Sequence, residues 1–296
     1  MPHLAQLNIG RLVAPLEDPR IEGFVNALDP VNALAEASPG FVWRLQTDEG
    51  DATALRPYPD PEVIVNLTVW ESIESLKAFV YQGDHLAIFR RRREFFEVSS
   101  KAYVVLWWVD AGHIPNVEEA KERLEFLRRY GPTPWAFTFA HVEPPLLIDR
   151  ATVSDPAAAQ LIEELNADIM ATHPEGNHFW RLTAEDVAPG SGAFLVLRLD
   201  REPIGCGAVR KLNVDEAELK RMFVRPALRN RKIGAVIVDA LEAEARSLGV
   251  KRLLLETALY LEPAVRMYAR AGFEPIDNYG EYVGSADSYC MGKTLT

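Results

Sequence analysis

The chain has 296 residues, of which 48% are hydrophobic, and this is enough apolar volume for two packed domains. Its net charge of −11 argues against a general nucleic-acid binder, because such proteins carry an excess of Lys and Arg. No apolar run approaches the roughly 20 residues of a membrane span. We predict a cytoplasmic protein, because the N-terminus resembles no secretion signal and the two cysteines, Cys206 and Cys290, fit buried, unpaired thiols.

The first half is predicted to form one domain with the element order β-α-β-β-α-β, the split βαβ plan. Its predicted strands are 3–10, 41–46, 62–70 and 103–109, and its predicted helices are 19–36, one from 73 onwards, and 85–96. A helix over 117–130 and a further strand over 135–142 follow. Residues 143–145, with the sequence EPP, are the most linker-like in the chain. We therefore expect one domain over 1–143 and another over 146–296.

The second half is predicted to alternate strands and helices. A first strand enters a helix at about 156–170, and strands 194–200 and 203–212 form a hairpin. A strand over 217–224 leads through a loop, 225–235, into a long helix that we expect to begin close to Arg229–Lys232. A strand over 251–257, a short helix that ends before Phe273, and one or two closing strands complete the domain.

The loop over 225–235 is a candidate phosphate site. Backbone N–H groups and the helix dipole favour anions at a helix N-terminus, and a glycine in the first turn, Gly234, lets a ligand approach the backbone. Basic helix starts are also common on solvated surfaces, so this pattern alone is weak. The cations of the loop are Arg225, Arg229, Arg231 and Lys232.

Residues 147–295 resemble the GNAT superfamily of acyl-CoA-dependent N-acyltransferases. The phosphate loop of that family reads [Q/R]-x-x-G-x-[G/A], and residues 229–234, RNRKIG, match its first and last fixed positions. The strand MFV followed by RP, the strand LLLET and the segment AVRMYARAGF follow in the family's order. Lys232 stands where the family usually has glycine. A lysine in place of glycine leaves three alternatives: a wider loop, a lysine that helps to hold phosphate, or weakened cofactor binding.

The resemblance implies a mixed, split central sheet and acetyl-CoA as acyl donor. The backbone of 222–224 would pair with the pantetheine arm, and the pyrophosphate would lie on the N–H groups of 230–235. The implied cofactor-binding residues are Met222, Phe223, Val224, Arg229, Asn230, Arg231, Lys232, Ile233, Gly234 and Ala235.

The resemblance also implies two catalytic residues. The attacking amine must be neutral, and the leaving thiolate needs a donor. Glu218 is the candidate base, and the alternative is a structural carboxylate, in solvent or paired with Lys220 or Arg210. Glu256 is a second acidic candidate that we expect to be structural. Tyr268 is the candidate donor to sulfur, and its alternative is a packing tyrosine.

The acceptor is expected to be a small-molecule amine bound between the 173–180 loop and the tail. The tail resembles that of family members acting on amino acids or drug-like amines. A lone histidine is more often structural than catalytic, so these assignments rest on position alone. The candidate acceptor-binding residues are His178, Trp180 and Tyr282, with His173, Tyr279 and Ser288 as further candidates.

Residues 2–139 resemble a domain group of unknown function related to antibiotic-biosynthesis monooxygenases, which form dimeric α/β barrels. The resemblance rests on the aromatic motifs VWRL, LTVWES and LWWVDAGH and on the segment RRREFF. It implies a ferredoxin-like barrel domain and a homodimer. The aromatic residues and His85 or His113 could line a pocket, but a core or a dimer face explains them better. No residue set in this half has metal-ligand spacing, and we expect no metal site.

Three functions are compatible with these patterns. The first is an acetyl-CoA-dependent N-acetyltransferase fused to a dimerising or ligand-binding module. The second makes the N-terminal domain a monooxygenase-like or haem-handling enzyme and the GNAT domain a CoA-binding sensor. The third is non-catalytic, with Lys232 marking a degenerate acyltransferase.

Overall fold

The protein is described by a computed structural model that covers residues 1–48, 50–81, 90–172 and 181–295. The chain divides into two compact units, Met1–Pro145 and Leu146–Thr296. Within the described ranges, no helix has the length and apolar character needed to cross a membrane.

The first unit is built on one antiparallel sheet in the order β2-β3-β1-β4. Three of its four strands are rich in β-branched or aromatic residues, which fit a pleated, half-buried surface, and the strand HLAQLNIGR is the exception. The strands are β1 (His3–Arg11), β2 (Phe41–Arg44), β3 (Val63–Trp70) and β4 (Val104–Val109). The helices are α1 (Glu22–Glu36), α2 (Ile73–Tyr81), α3 (Arg92–Phe95) and α4 (Val117–Tyr130).

Both faces of this sheet are covered by elements of the same unit. On one face, Leu4, Trp70 and Leu106 pack with Ile73 and Leu76 of α2. On the other face, Trp107 is 1% exposed and its Nε1 donates to Glu119 of α4 at 3.0 Å. The dimeric α/β barrel expected from the sequence stays a prediction.

The strand predicted over 135–142 is absent, and that prediction is wrong. Phe137 makes a single bridge to Leu106, with both backbone hydrogen bonds in place, but tight turns at Thr133–Ala136 and Thr138–His141 interrupt the chain on either side. The alternating aromatic residues reflect the burial of Phe137 and not a continuous strand. Part of the helix predicted over 85–96 lies outside the described residues, and its described end contains α3.

The second unit contains a mixed sheet of seven strands in the order β10-β11-β9-β8-β7-β6-β5. Only β8 and β9 pair in parallel. The strands are β5 (Leu146–Ala151), β6 (Gly192–Leu199), β7 (Glu202–Lys211), β8 (Glu216–Val224), β9 (Arg252–Thr257), β10 (Glu274–Pro275) and β11 (Tyr289–Thr294). The helices are α5 (Pro156–Thr172), α6 (Ile233–Ser247) and α7 (Glu262–Arg270). Cys206 and Cys290 are free and buried, as predicted.

The parallel ladder between β8 and β9 stops halfway. It runs from Glu216 paired with Arg252 to Leu219 paired with Leu255, and β8 then continues without β9 beside it. A bulge follows at once, because Gly207 of β7 faces the two-residue step between Lys220 and Phe223, and Arg221 has a φ of 57°. Bulges bend a strand and increase its twist. The bend carries the end of β8 away from β9 and splits the sheet, as the sequence predicts.

The two faces of this sheet are covered differently. Ala158 and Leu161 of α5 pack against Cys206, Ala208 and Phe223. On the opposite face lies α6, and a Cβ added to Gly207 would stand 2.5 Å from Ile237 and 2.9 Å from Leu241. The absence of a side chain at 207 is thus what lets α6 approach the bulged part of the sheet.

Gly207→Ala is expected to lower the free energy of unfolding by about 1–3 kcal/mol, because the methyl group overpacks the contact with α6. Denaturant unfolding measures the change. As a control, Gly207→Ala is also made in a protein that carries Ile237→Ala, because that substitution removes the side-chain atoms that the new methyl would meet. If Gly207→Ala costs as much in that background as in the wild type, the contact with Ile237 is not the cause.

Candidate functional site

The start of α6 is shaped for an anion. Lys232, the residue before the helix, has φ 63° and ψ 14°, and Asn230 has φ 66°, so two left-handed residues precede Ile233. The helix itself begins at Ile233, directly after the residues Arg229–Lys232 near which its start was predicted. No side chain caps the helix, and the N–H groups of Ile233 and Gly234 have no acceptor among the described residues. Such N–H groups, aligned with the helix dipole, bind phosphate.

Two cations of the loop are already paired with α5. Arg225 makes two 2.8 Å hydrogen bonds to Glu164, and Arg229 donates to Asp168 at 2.6 Å. Arg229 Nε also donates to the Val224 carbonyl oxygen at 3.1 Å. These arginines hold the loop to α5 and to the end of β8. The expected basic patch is therefore partly an internal scaffold, which leaves the backbone as the main phosphate-binding feature.

The free edge of β8 faces the split. Phe223 and Val224 pair with Cys206 and Gly205 on one side, while β9 no longer accompanies β8 on the other. An unpaired strand edge offers N–H and C=O groups to an extended ligand. The implied pantetheine residues, Met222 to Val224, lie on this edge.

Tyr268 lies on α7, next to the phosphate loop. A Cβ added to Gly234 would be 2.5 Å from the sulfur of Met267, so the glycine in the first turn of α6 makes room for α7. Tyr268 is 5% exposed and packs edge-on against Phe273. Burial, and secondly the charge of Glu256, raise the pKa of its hydroxyl. The tyrosine therefore remains protonated at neutral pH.

Glu218 is fully buried, and both of its oxygens are occupied. Arg210 Nε donates to Oε2 at 2.7 Å, and the hydroxyls of Tyr282 and Tyr279 donate to Oε1 at 2.6 and 2.9 Å. A buried carboxylate needs this number of donors, because an unpaired charge in the interior costs several kcal/mol. From the sequence, Glu218 was interpreted either as a catalytic base or as a structural carboxylate. These contacts favour a structural carboxylate that is paired with Arg210.

The same network fixes the segment between β10 and β11, which we call the tail loop (residues 276–288). Lys220 Nζ, which is nearly fully buried, donates to Tyr282 at 2.9 Å and to Glu281 at 3.0 Å. Glu281 also accepts from Arg210 at 3.1 Å. Two cations of the sheet are thus neutralised by one carboxylate of β8 and one of the tail loop.

A cleft of about 1,120 Å³ opens over this network. Glu218, Tyr279 and Tyr282 lie along it, and its apolar wall includes Leu254 and Ile276. Its remaining charged lining residues, of both signs, are Arg181, Arg210, Glu216, Arg252, Asp277 and Glu281. The cleft can therefore receive a ligand that bears both a cationic and an anionic group.

Glu256 is the second acidic group near the split. It follows Leu255, where the parallel ladder ends, and Ser288 Oγ donates to its Oε1 at 2.8 Å. It is half-buried, and burial raises its pKa. It is thus a second carboxylate close to the point where β8 and β9 separate.

The structure brings most of the sequence-predicted residues together around the split. His178 and Trp180 lie outside the described residues, as does His173. Sequence reasoning missed the pairing of Arg225 and Arg229 with α5. The signal was present, because Glu164 and Asp168 are one helical turn apart and the two arginines have the same spacing.

Comparisons with known proteins identify both halves. A model of the acetyltransferase (GNAT) family matches residues 159–273, and a model of a domain of unknown function, DUF3291, matches residues 3–186. IAA acetyltransferase of Azospirillum brasilense is 35% identical over 154 residues, which are 51% of this chain and 99% of the relative. The uncharacterized N-acetyltransferase YjgM of Escherichia coli is 30% identical over 137 residues, 43% of this chain and 81% of the relative.

Among solved structures, an acetyltransferase from Streptococcus agalactiae is 20% identical, with a TM-score of 0.43, and covers 51% of this chain and 98% of that chain. From the family matches and the curated relatives, the chain belongs to the DUF3291 family in its first part and to the GNAT family in its second, and it is an N-acetyltransferase.

Replacing Lys232 tests the strain in the phosphate loop. Lys232→Gly is expected to be more stable than Lys232→Ala by about 1 kcal/mol, because only glycine adopts a φ of 63° without a side-chain clash. Both variants remove the charge, so chemical denaturation isolates the backbone effect. Equal stability of the two variants would show that this conformation carries no strain.

Proposed function

We propose that this GNAT-family enzyme transfers the acetyl group of acetyl-CoA to the amine of a small molecule, by direct attack of the amine on the thioester. The observation that supports this most is the split between β8 and β9 beside an uncapped helix N-terminus. One feature offers a strand edge to the pantetheine arm, and the other offers N–H groups to the pyrophosphate. Proteins of this family generally use an acyl-CoA.

The donor's phosphates would be held by the backbone of 230–235, with Lys232 adding charge at the exposed start of α6. The pantetheine arm would run along Met222, Phe223 and Val224. Arg229 would act indirectly, because its guanidinium is bound to Asp168 and to the Val224 carbonyl oxygen. We therefore assign Arg229 to holding the loop in shape.

Tyr268 is proposed to donate a hydrogen bond to the departing sulfur. An ordinary thiol has a pKa of about 8.5, and burial raises the pKa of Tyr268 above that of a free tyrosine. Complete proton transfer from this tyrosine to a thiolate is thus unfavourable. A neutral hydroxyl that donates a hydrogen bond throughout the reaction fits this environment better, and the thiolate takes its proton from water.

Glu218 is proposed to be the final acceptor of the amine's proton. It lies along the cleft and is paired with Arg210. Glu256 is the alternative base, because burial raises its pKa and it lies next to the split. Matched Glu218→Gln and Glu256→Gln variants separate the two roles by their effects on turnover.

The acceptor is proposed to bind in the cleft beneath the tail loop, with Tyr282 in its wall. A small amine that also carries an anionic group matches the mixed charges of the lining. His178 and Trp180 stay predicted acceptor contacts. The N-terminal domain is proposed to be a ligand-binding or dimerising module, and its oxygenase or haem-handling role stays the alternative.

The proposed reaction is tested by calorimetry and by a thiol-release screen over amino acids, polyamines and aminoglycosides. We expect saturable binding of acetyl-CoA and release of one thiol for each amine acetylated. Monodisperse protein that does not bind acetyl-CoA would disprove the proposal.

Tyr268→Phe is expected to lower the turnover number by about 10²–10³-fold, because the departing sulfur loses its positioned donor. The affinity for acetyl-CoA should remain within a few-fold of the wild type. Stopped-flow thiol detection gives the rate, and calorimetry supplies the control. A variant with full turnover would reduce Tyr268 to a packing residue.

The homodimer predicted from sequence stays a prediction. Sedimentation equilibrium of the full chain gives the mass directly. A single species of monomer mass over the micromolar range would rule out the dimer.

A further inference from the structure

We propose that Tyr279 is a catalytic residue of this enzyme, whose hydroxyl accepts the proton of the acceptor amine while it passes its own proton to Glu218. The inference rests on the proposed acetyl transfer. It concerns the step that the structure leaves open, which is how a carboxylate with no free oxygen can act as a base.

Glu218 cannot reach the amine directly without losing a contact. Oε2 is taken by Arg210 and Oε1 by two phenolic hydroxyls. The side chain is 0% exposed, so an amine in the cleft meets the tyrosines before it meets the carboxylate. Displacing a hydroxyl from a buried charge would cost about as much as an unmade charged hydrogen bond. A relay through the hydroxyl avoids that cost, because every contact stays in place.

Of the two tyrosines, Tyr279 is the one with an available oxygen. Tyr282 is 2% exposed, and its oxygen already accepts from Lys220 Nζ at 2.9 Å. Tyr279 is half-buried and lies along the cleft, and no described side chain donates to its oxygen. Its hydroxyl can therefore accept from the amine on one side while it donates to Glu218 at 2.9 Å on the other.

The charges around Tyr279 suit this exchange. Burial first, and then the negative charge of Glu218, raise the pKa of Tyr279, so the phenol enters the reaction with its proton in place. Arg210 is bound to the opposite oxygen of Glu218 and orients the carboxylate. The two tyrosine rings meet edge-on with centroids 5.2 Å apart, which fixes the direction of the Tyr279 hydroxyl.

The proton balance closes without any additional reactant. A neutral amine attacks the carbonyl carbon, the C–N bond forms, and the C–S bond breaks with its electron pair on sulfur. The nitrogen loses one proton to the Tyr279 oxygen, and the original Tyr279 proton moves to Glu218 Oε1. The thiolate, hydrogen-bonded by Tyr268, takes a proton from water, and Glu218 returns its proton to water. The products are the amide and the free thiol.

The test compares Tyr279→Phe with Tyr282→Phe in the full chain. Each substitution removes one hydroxyl from the same oxygen of Glu218, so the pair is matched in chemistry and differs in access to the cleft. We expect Tyr279→Phe to lower the single-turnover rate of acetyl transfer by about 10²–10³-fold at saturating acetyl-CoA and acceptor, with unchanged binding of acetyl-CoA. Tyr282→Phe should lower the melting temperature and, because Tyr282 also lines the cleft, raise the KM for the acceptor, but it should slow the saturated single-turnover rate far less than Tyr279→Phe does.

A solvent readout distinguishes the relay from a purely structural role. The wild type should show a solvent deuterium isotope effect on the single-turnover rate, because the N–H proton of the amine and the O–H proton of Tyr279 move together, and Tyr279→Phe should lose that dependence. If Tyr279→Phe fails to fold, fluorotyrosine at 279 keeps the hydroxyl and changes only its acidity. The relay then predicts a changed rate, and a structural hydroxyl predicts none.

Three results overturn the inference in different ways. A wild-type rate in Tyr279→Phe removes the relay and leaves the acetyl transfer intact. Wild-type protein that binds acetyl-CoA but acetylates no amine removes the reaction itself and the relay with it. Loss of the rate in Glu256→Gln together with a normal rate in Glu218→Gln would also assign the base elsewhere and exclude Tyr279.

Discussion

The separation of β8 from β9 is the constraint on which the second unit depends. Pairing ends at Leu219 and Leu255, and the bulge at Arg221 turns β8 away immediately afterwards. The proposed acetyl-CoA site follows from this separation of the two strands. It leaves a strand edge without a neighbour and a helix N-terminus beyond that edge. Helix α7 packs close by, and Met267 fills the space over Gly234. A continuous parallel ladder would satisfy the same backbone groups internally and leave no room for a ligand.

The N-terminal half of β8, before the bulge, is paired on both sides and contributes side chains, not free backbone groups. Before the bulge, the strand is fully paired, and its side chains Glu218 and Lys220 join Arg210 and the tail loop in one hydrogen-bonded network. Two positive and two negative groups are joined by hydrogen bonds, so the network is neutral although the chain as a whole is strongly acidic. One strand thus offers backbone groups at its end and side-chain chemistry at its beginning, and the bulge lies between the two.

Sequence reasoning recovered the order of the elements well and the contacts within the site less well. The strand 217–224, the following helix and the split sheet follow from periodicity and from the family's motifs. The left-handed conformations of Asn230 and Lys232 before the helix could not be foreseen, because they have no signature in a basic loop. The burial of Glu218 could not be foreseen, since its partners Arg210 and Tyr282 are 8 and 64 positions away in the chain. The strand at 135–142 failed because alternating aromatic residues do not reveal the turns between them.

The tail loop is closed at its base. β10 pairs with β11 at Glu274 and Gly292, and β11 pairs with β9 along its whole length, so both ends of the loop are fastened to the sheet. Inside it, Asn278 donates to the carbonyl oxygens of Tyr282 and Ser285. A loop anchored in this way is a fixed wall and not a hinged flap. An acceptor must then approach along the open side of the cleft, and selection among amines depends on a preformed shape and not on closure around the bound molecule.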